Sequence, residues 1–151
     1  MNDPRFVSAL YPCRLLLSHI ENTQIEPPLL PASLTIDKLI SILQMICDLS
    51  IRCIQHILRM LCEQTQLSPE QVKAVVHEND QFKAQVLDLV VDAEKKSKKK
   101  VLETEGVEHS HMITAELLYR DNETYSREVD KIQARLMSYV AALGLDTQFC
   151  V

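Results

Sequence analysis

Residues 36–65, IDKLISILQMICDLSIRCIQHILRMLCEQT, decide the fold of this chain. Polar side chains recur there every three or four residues, at Asp37, Ser41, Gln44, Asp48, Arg52, Gln55, Arg59 and Glu63. Nearly all the other positions are Ile, Leu, Met or Cys. The spacing predicts one long helix with a narrow polar stripe, N-capped by Thr35. A helix with so wide an apolar surface must be covered on several sides, which predicts a buried central helix.

The composition of the 151-residue chain favours an all-α fold. Only 2 Gly are present. Tight β-hairpins and phosphate-binding loops use glycine for backbone conformations with positive φ. The composition therefore argues against β-rich folds and against nucleotide-binding loops. Hydrophobic residues make up 46% and charged residues 25%, which is typical of a globular domain.

The sequence divides into two predicted parts. Residues 1–34 predict a short helical arm and a linker that Pro27, Pro28 and Pro31 stiffen. Residues 35–151 predict a helical bundle or coiled-coil domain. No signal peptide is recognisable, and a membrane span is not expected because residues 36–65 include charged side chains. Five Cys, an odd number, do not form a disulfide framework, so we expect a cytoplasmic or nuclear protein.

A second helix is predicted to begin after Ser68. Ser68 and Gln71 match a capping box, and Pro69 occupies the first helical position. Apolar residues then follow a heptad spacing that includes Asn79. We expect one helix over residues 69–105, ended by Gly106. The alternative is a break at Asn79, with Asp80 as a second N-cap.

The last helix is predicted to run from about Ser110 to Leu143, with Gly144 ending it. Ala115 begins a heptad spacing that continues for four repeats, which favours a coiled coil. An Asn at one such position is a known means of fixing the register. We expect a partner to bind the following residues of this heptad seam: Leu118, Asn122, Tyr125, Val129, Ile132, Leu136, Tyr139 and Leu143.

Together these elements predict an all-α helical bundle. The helices at 69–105 and 112–143 are expected to form an antiparallel hairpin packed on the buried central helix. Seams left unpaired would recruit a partner helix or a second copy of the chain. The sequence therefore predicts a non-enzymatic scaffold or adaptor subunit of an intracellular complex.

A basic cluster suggests an alternative function. Its members are Lys95, Lys96, Lys98, Lys99 and Lys100. Such a run is typical of nuclear import signals and of phosphate-backbone contacts, so a nuclear regulatory or chromatin-associated factor is the second hypothesis. Nucleic-acid binding is not favoured, because the net charge is -5 and no aromatic residues interleave with the lysines.

The residues that carry chemistry in other proteins do not form a recognisable set here. Cys53, His56, His109 and His111 match no common zinc spacing, so no metal is expected. Glu108 and His111 resemble half of a di-iron site, but no second Glu-x-x-His follows. Because neither a nucleophile–base pair nor a phosphate loop is present, we expect no cofactor and no enzyme activity.

Overall fold

The computed structural model describes residues 34–146, and every regular element in that range is helical. The elements are α1 (Ile36–Thr65), α2 (Pro69–Glu78), α3 (Asp80–Glu105), α4 (His109–Tyr119) and α5 (Glu123–Ala142). The predicted all-α bundle is confirmed. The predicted N-terminal arm and linker lie outside the described residues, except for Leu34.

Helix α1 has the boundaries and the cap that its sequence predicts. The Thr35 hydroxyl accepts a hydrogen bond from the backbone N–H of Lys38 at 3.2 Å, and the helix ends at Thr65, before Gln66 in the left-handed conformation. The buried positions lie on the half of the helix that faces away from the polar stripe. They are Leu39, Ile40, Ile42, Leu43, Ile46, Cys47, Ser50, Ile51, Ile54, Ile57 and Leu61.

By length and mean hydropathy alone, α1 also meets the criterion for a membrane-spanning helix. Half of its most apolar window is buried inside the bundle. A core helix passes the same test, so this result is weak evidence for a span.

All four other helices pack against α1. Helix α3 runs antiparallel to it. Lys38 near the start of α1 pairs with Glu105 at the end of α3, with 2.6 Å between Nζ and Oε2. Two-thirds of the way along α1, the Cys53 sulfur lies 3.9 Å from the Ser97 hydroxyl.

Helix α5 runs parallel to α1. Gln44 and Glu128 border the same crevice between the two helices. One turn further along α1, Asp48 pairs with Arg135. Helices α3 and α5 therefore run in opposite directions, but they pack on different parts of the central helix and hardly on each other, so the predicted hairpin between them does not form.

The single helix predicted over residues 69–105 is wrong, because the chain breaks at Asn79. The Asn79 N–H donates to the Val75 carbonyl at 2.9 Å, which ends α2. Its side-chain oxygen accepts from the N–H of Phe82 at 3.1 Å, which starts α3. The second cap is thus Asn79, and not Asp80 as the alternative proposed. Ser68 and Gln71 form the predicted capping box.

The continuous last helix predicted from Ser110 to Leu143 is also wrong. Helix α4 ends at Tyr119, and α5 begins after Asn122. The side-chain oxygen of Asn122 accepts from the N–H of Tyr125 at 3.0 Å. Asn122 is therefore an N-cap, and its predicted role as a register-setting residue inside one helix is incorrect.

Both glycines occupy left-handed positions after helices, as the sequence predicts. Gly106 follows α3 with φ +67 and has open space where a Cβ would stand. Gly144 has φ +88 and lies against the backbone of α2. A Cβ at Gly144 would approach the Lys73 carbonyl oxygen to 2.4 Å. Gly144 thus fixes how closely the chain after α5 can approach α2.

Candidate functional site

Helix α4 is apolar on both of its sides. Met112 and Ala115 are buried, and α4 packs on α1. On the outer side, Ile113, Leu117 and Leu118 are 37%, 38% and 64% exposed. We call these three residues the α4 patch. Ile113 and Leu117 are one turn apart and share a face. A helix that is apolar on both sides is typically covered on both. Among residues 34–146, the outer side of α4 is at least partly exposed, whereas the inner side is buried.

The start of α4 explains the histidines that the sequence singled out. The N–H of Glu108 donates to Nδ1 of His111 at 3.2 Å, so His111 helps to cap the helix. His109 and His111 are on α4, whereas Cys53 and His56 are on α1 beside α3. Residues 34–146 contain no group of three or more His, Cys, Asp or Glu side chains that could hold a metal ion.

The predicted partner-binding seam does not form one continuous surface. Leu118 is the most exposed of its members, and Asn122 is the half-buried cap of α5. Beyond the cap, the structure places the seam inside the bundle. Tyr125, Ile132, Leu136 and Leu143 are buried there, and Val129 and Tyr139 are half-buried.

A groove between α1 and α3 forms a second open surface, which we call the α1–α3 groove. It encloses about 390 Å³. Its lining residues are Arg52, Cys53, His56, Ile57, Leu89, Asp92, Ala93 and Lys96. Leu89 is 45% exposed on one wall. Lys96 pairs with Asp92 across 2.8 Å on the rim.

The basic cluster spreads over the solvent side of α3, opposite the buried Ser97. Lys95, Lys96, Lys99 and Lys100 are exposed and Lys98 is half-buried, while Ser97 between them is buried. Acidic side chains of α3 lie beside two of the lysines. Lys96 pairs with Asp92, and Lys99 lies 4.0 Å from Glu103.

Lys98 contributes to the electrostatics of a half-buried carboxyl on α4. Burial raises the pKa of Glu116, and the positive charges of Lys98 and His109 oppose that rise. Burial, and then the negative charge of Glu116, raise the pKa of Tyr125 to about 12. The Tyr119 hydroxyl donates to the Leu34 carbonyl at 3.3 Å. These contacts join α3, α4 and α5 near the start of α1.

The sequence prediction included Leu118 but missed the other two residues of the α4 patch, and it missed the α1–α3 groove. The heptad spacing through Leu118 places Ile113 and Leu117 beside the predicted seam, so neither belonged to the predicted partner-binding set. The run Met112–Leu118 has apolar residues on every side, and this was the available signal. Leu89 belongs with Val86 to the heptad spacing predicted over residues 69–105, but of the two only Val86 is buried, and Leu89 is 45% exposed.

Comparisons with protein-family models, with curated proteins and with solved structures gave no match for this chain. The function of this chain is therefore inferred from the α4 patch and the α1–α3 groove.

Proposed function

We propose that this protein is a non-enzymatic interaction subunit that binds a helix of a partner protein through the α4 patch. The observation that carries the proposal is the apolar outer side of α4, where Leu118 is 64% exposed. Single exposed apolar residues are common on protein surfaces. Here Ile113 and Leu117 share one face of a short helix and Leu118 lies on the adjoining side, and exposed apolar patches mark interaction sites.

The small size of the α4 patch limits the binding free energy that it can contribute, so the partner must make further contacts. Covering an apolar side chain contributes about 1.5–3 kcal/mol when the burial is complete, and these three are already partly covered. The patch therefore contributes on the order of 2–4 kcal/mol before the entropy of association is subtracted. A stable complex needs contacts beyond α4, so the partner helix extends past the patch.

The test replaces Leu118 with a photo-crosslinking amino acid in cells and identifies the crosslinked peptide by mass spectrometry. We expect one partner peptide with apolar residues at helical spacing. Leu117→Asp should abolish the crosslink, because it places a charge in the interface. Val75→Asp is the matched control, since Val75 is also 38% exposed but lies on α2.

Two outcomes would contradict the proposal. One is the absence of a discrete crosslinked peptide at position 118, and the other is a crosslink that persists in Leu117→Asp. A crosslink to a peptide of this same chain, with a doubled mass by light scattering, would identify the partner as a second copy.

The alternative function, nucleic-acid contact through the basic cluster, has less support. Asp92 pairs with Lys96, and Lys98 lies in the electrostatic environment of Glu94 and Glu116. Carboxylates so close to the lysines weaken the attraction for phosphates. If the cluster does bind DNA, affinity should fall steeply between low and physiological salt.

A further inference from the structure

The α1–α3 groove has the composition of a docking site for an amphipathic helix. Its floor and walls include the apolar or weakly polar side chains of Cys53, Ile57, Leu89 and Ala93. Ile57 is buried, whereas Leu89 is 45% exposed on the wall. An apolar side chain inserted into the groove would cover Leu89, and this coverage is the source of affinity when a helix binds in a groove.

Small side chains account for the opening between the two helices. The Cys53 sulfur faces the Ser97 hydroxyl at 3.9 Å. Ser97 in turn donates to the Ala93 carbonyl at 2.7 Å, so its side chain stays on α3. Cys53 and Ala93 therefore present small side chains to the groove that Leu89 also lines. The 390 Å³ volume falls within the range of protein ligand sites, roughly 300–1,000 Å³.

The charges around the groove favour an acidic occupant. Arg52 on α1 and Lys96 on α3 stand on opposite rims, and His56 lies one turn from Arg52. Asp92 is the acidic group on the rim, and it already pairs with Lys96. Within residues 34–146 the structure shows no ion pair for Arg52. Because Lys96 and Asp92 neutralise each other, Arg52 gives the rim its positive charge, on a chain whose net charge is -5.

We propose that the α1–α3 groove binds an amphipathic helix of a partner protein that inserts apolar residues beside Leu89 and places Asp or Glu against Arg52. This second surface goes beyond the function proposed for the α4 patch. The two surfaces lie on different helices, so substitutions in the α4 patch leave the groove intact, and each proposal fails or holds by itself.

The test uses two synthetic helical peptides with identical Leu anchors at i, i+3, i+4 and i+7. One carries Glu at the flanking positions and the other carries Lys. Fluorescence anisotropy measures their binding to the full chain. We expect the Glu peptide to bind about tenfold or more tightly than the Lys peptide, equivalent to ~1.4 kcal/mol or more. The preference should shrink as salt rises.

The thiol of Cys53 reports directly on occupancy of the groove. Cys53 lines the groove and is partly exposed, and Cys62 on the same helix is also partly exposed but does not line it. Bound Glu peptide should slow the alkylation of Cys53 by N-ethylmaleimide severalfold, as followed by peptide mass spectrometry. Alkylation of Cys62 should keep its rate, which makes Cys62 an internal control.

Substitutions on the rim and the wall complete the test. Arg52→Glu should reverse the preference between the two peptides, whereas Leu89→Ser should weaken both. Arg127→Glu, an exposed charge reversal on α5, is the matched control and should change nothing. Circular dichroism checks that each variant keeps its helices.

Three results would overturn the proposal. The first is weak or equal binding of both peptides, and the second is an unchanged alkylation rate of Cys53. The third is protection of Cys53 by dodecanoate to the same extent as by the Glu peptide, which would make the groove a site for an anionic amphiphile and not for a helix.

Discussion

Helix α1 and the segment of residues 109–142 have equally regular sequences but different structures. Helix α1 is one uninterrupted element of 30 residues. The segment 109–142 is divided into α4 and α5, although its heptad spacing passes through the division without a change. Periodicity therefore indicates which side of a stretch faces inward, and it does not show that the backbone continues as one helix.

The residues at the critical positions account for the difference. Along α1 the polar side chains stay on one stripe, and none of them accepts a hydrogen bond that would start a new helix inside it. In 109–142, Asn122 falls at a seam position and its side chain caps the N–H of Tyr125. Asn is among the best N-cap residues. Helix α1 is thus held together by burial, and the divided segment depends on particular caps and close contacts.

The largest change in the free energy of unfolding is expected at Gly144, just after the divided segment, where the chain contacts α2. Gly144→Ala places a Cβ 2.4 Å from the Lys73 carbonyl oxygen, at a position with φ +88. The left-handed conformation costs Ala about 1–2 kcal/mol, and the overlap adds about 1–3 kcal/mol. We expect the free energy of unfolding, measured by urea denaturation, to fall by about 3 kcal/mol.

Gly106→Ala is the matched control for that substitution. Gly106 also has a positive φ, but nothing lies within 4 Å of the position of its Cβ. Its loss should be limited to the conformational cost of about 1–2 kcal/mol. Equal losses at the two glycines would mean that the close approach of Gly144 to α2 contributes nothing.

A smaller change in the free energy of unfolding is expected at Asn122, and its sign distinguishes an N-cap from a seam residue. If Asn122 is the N-cap of α5, Asn122→Leu should lower the free energy of unfolding by about 1 kcal/mol, because the N–H of Tyr125 loses its acceptor. If Asn122 were a seam residue of one continuous helix, an apolar replacement would instead raise the stability. Asn122→Ser, which preserves a cap, should stay within about 0.5 kcal/mol of the native chain.

The smallest change is expected inside α1, and it is an increase in the free energy of unfolding. Ser50 is 1% exposed, and its hydroxyl has no hydrogen-bond partner among the described residues. Ser50→Ala removes an unsatisfied polar group, so the free energy of unfolding should rise by about 0.5–1 kcal/mol. Ser97→Ala is the control, because Ser97 is equally buried but donates to the Ala93 carbonyl. A gain at Ser97 as large as that at Ser50 would attribute the effect to the helix propensity of Ala.

The elements that local chemistry determines were predictable from the sequence. Thr35, Ser68 and the two glycines mark helix ends because caps and left-handed positions depend on a few neighbouring atoms. The central position of α1 was predictable because so wide an apolar surface has to be covered. Asn79 and Asn122 were misjudged, since an Asn at a heptad position is compatible with a seam residue and with an N-cap, and only the path of the chain decides between them.

The candidate site was less predictable than the fold. Leu118 belonged to the predicted partner-binding set and is exposed, whereas Ile132 and Leu136 are buried against the chain's own helices. An apolar residue looks the same in sequence whether a partner or the same chain covers it. The α1–α3 groove is formed by residues of two helices that only folding brings together, so no local sequence pattern predicts it.

The central position of α1 also has a consequence for synthesis on the ribosome. Helix α1 leaves the exit tunnel before any of the helices that cover it, and its contact with Arg135 spans 87 residues of sequence. At about 5–20 residues per second, the ~77 residues that separate the end of α1 from the end of α5 take roughly 4–15 s to make. During those seconds the long apolar segment of α1 is exposed on the nascent chain. Chaperones that bind exposed apolar segments should therefore associate with it before α5 emerges.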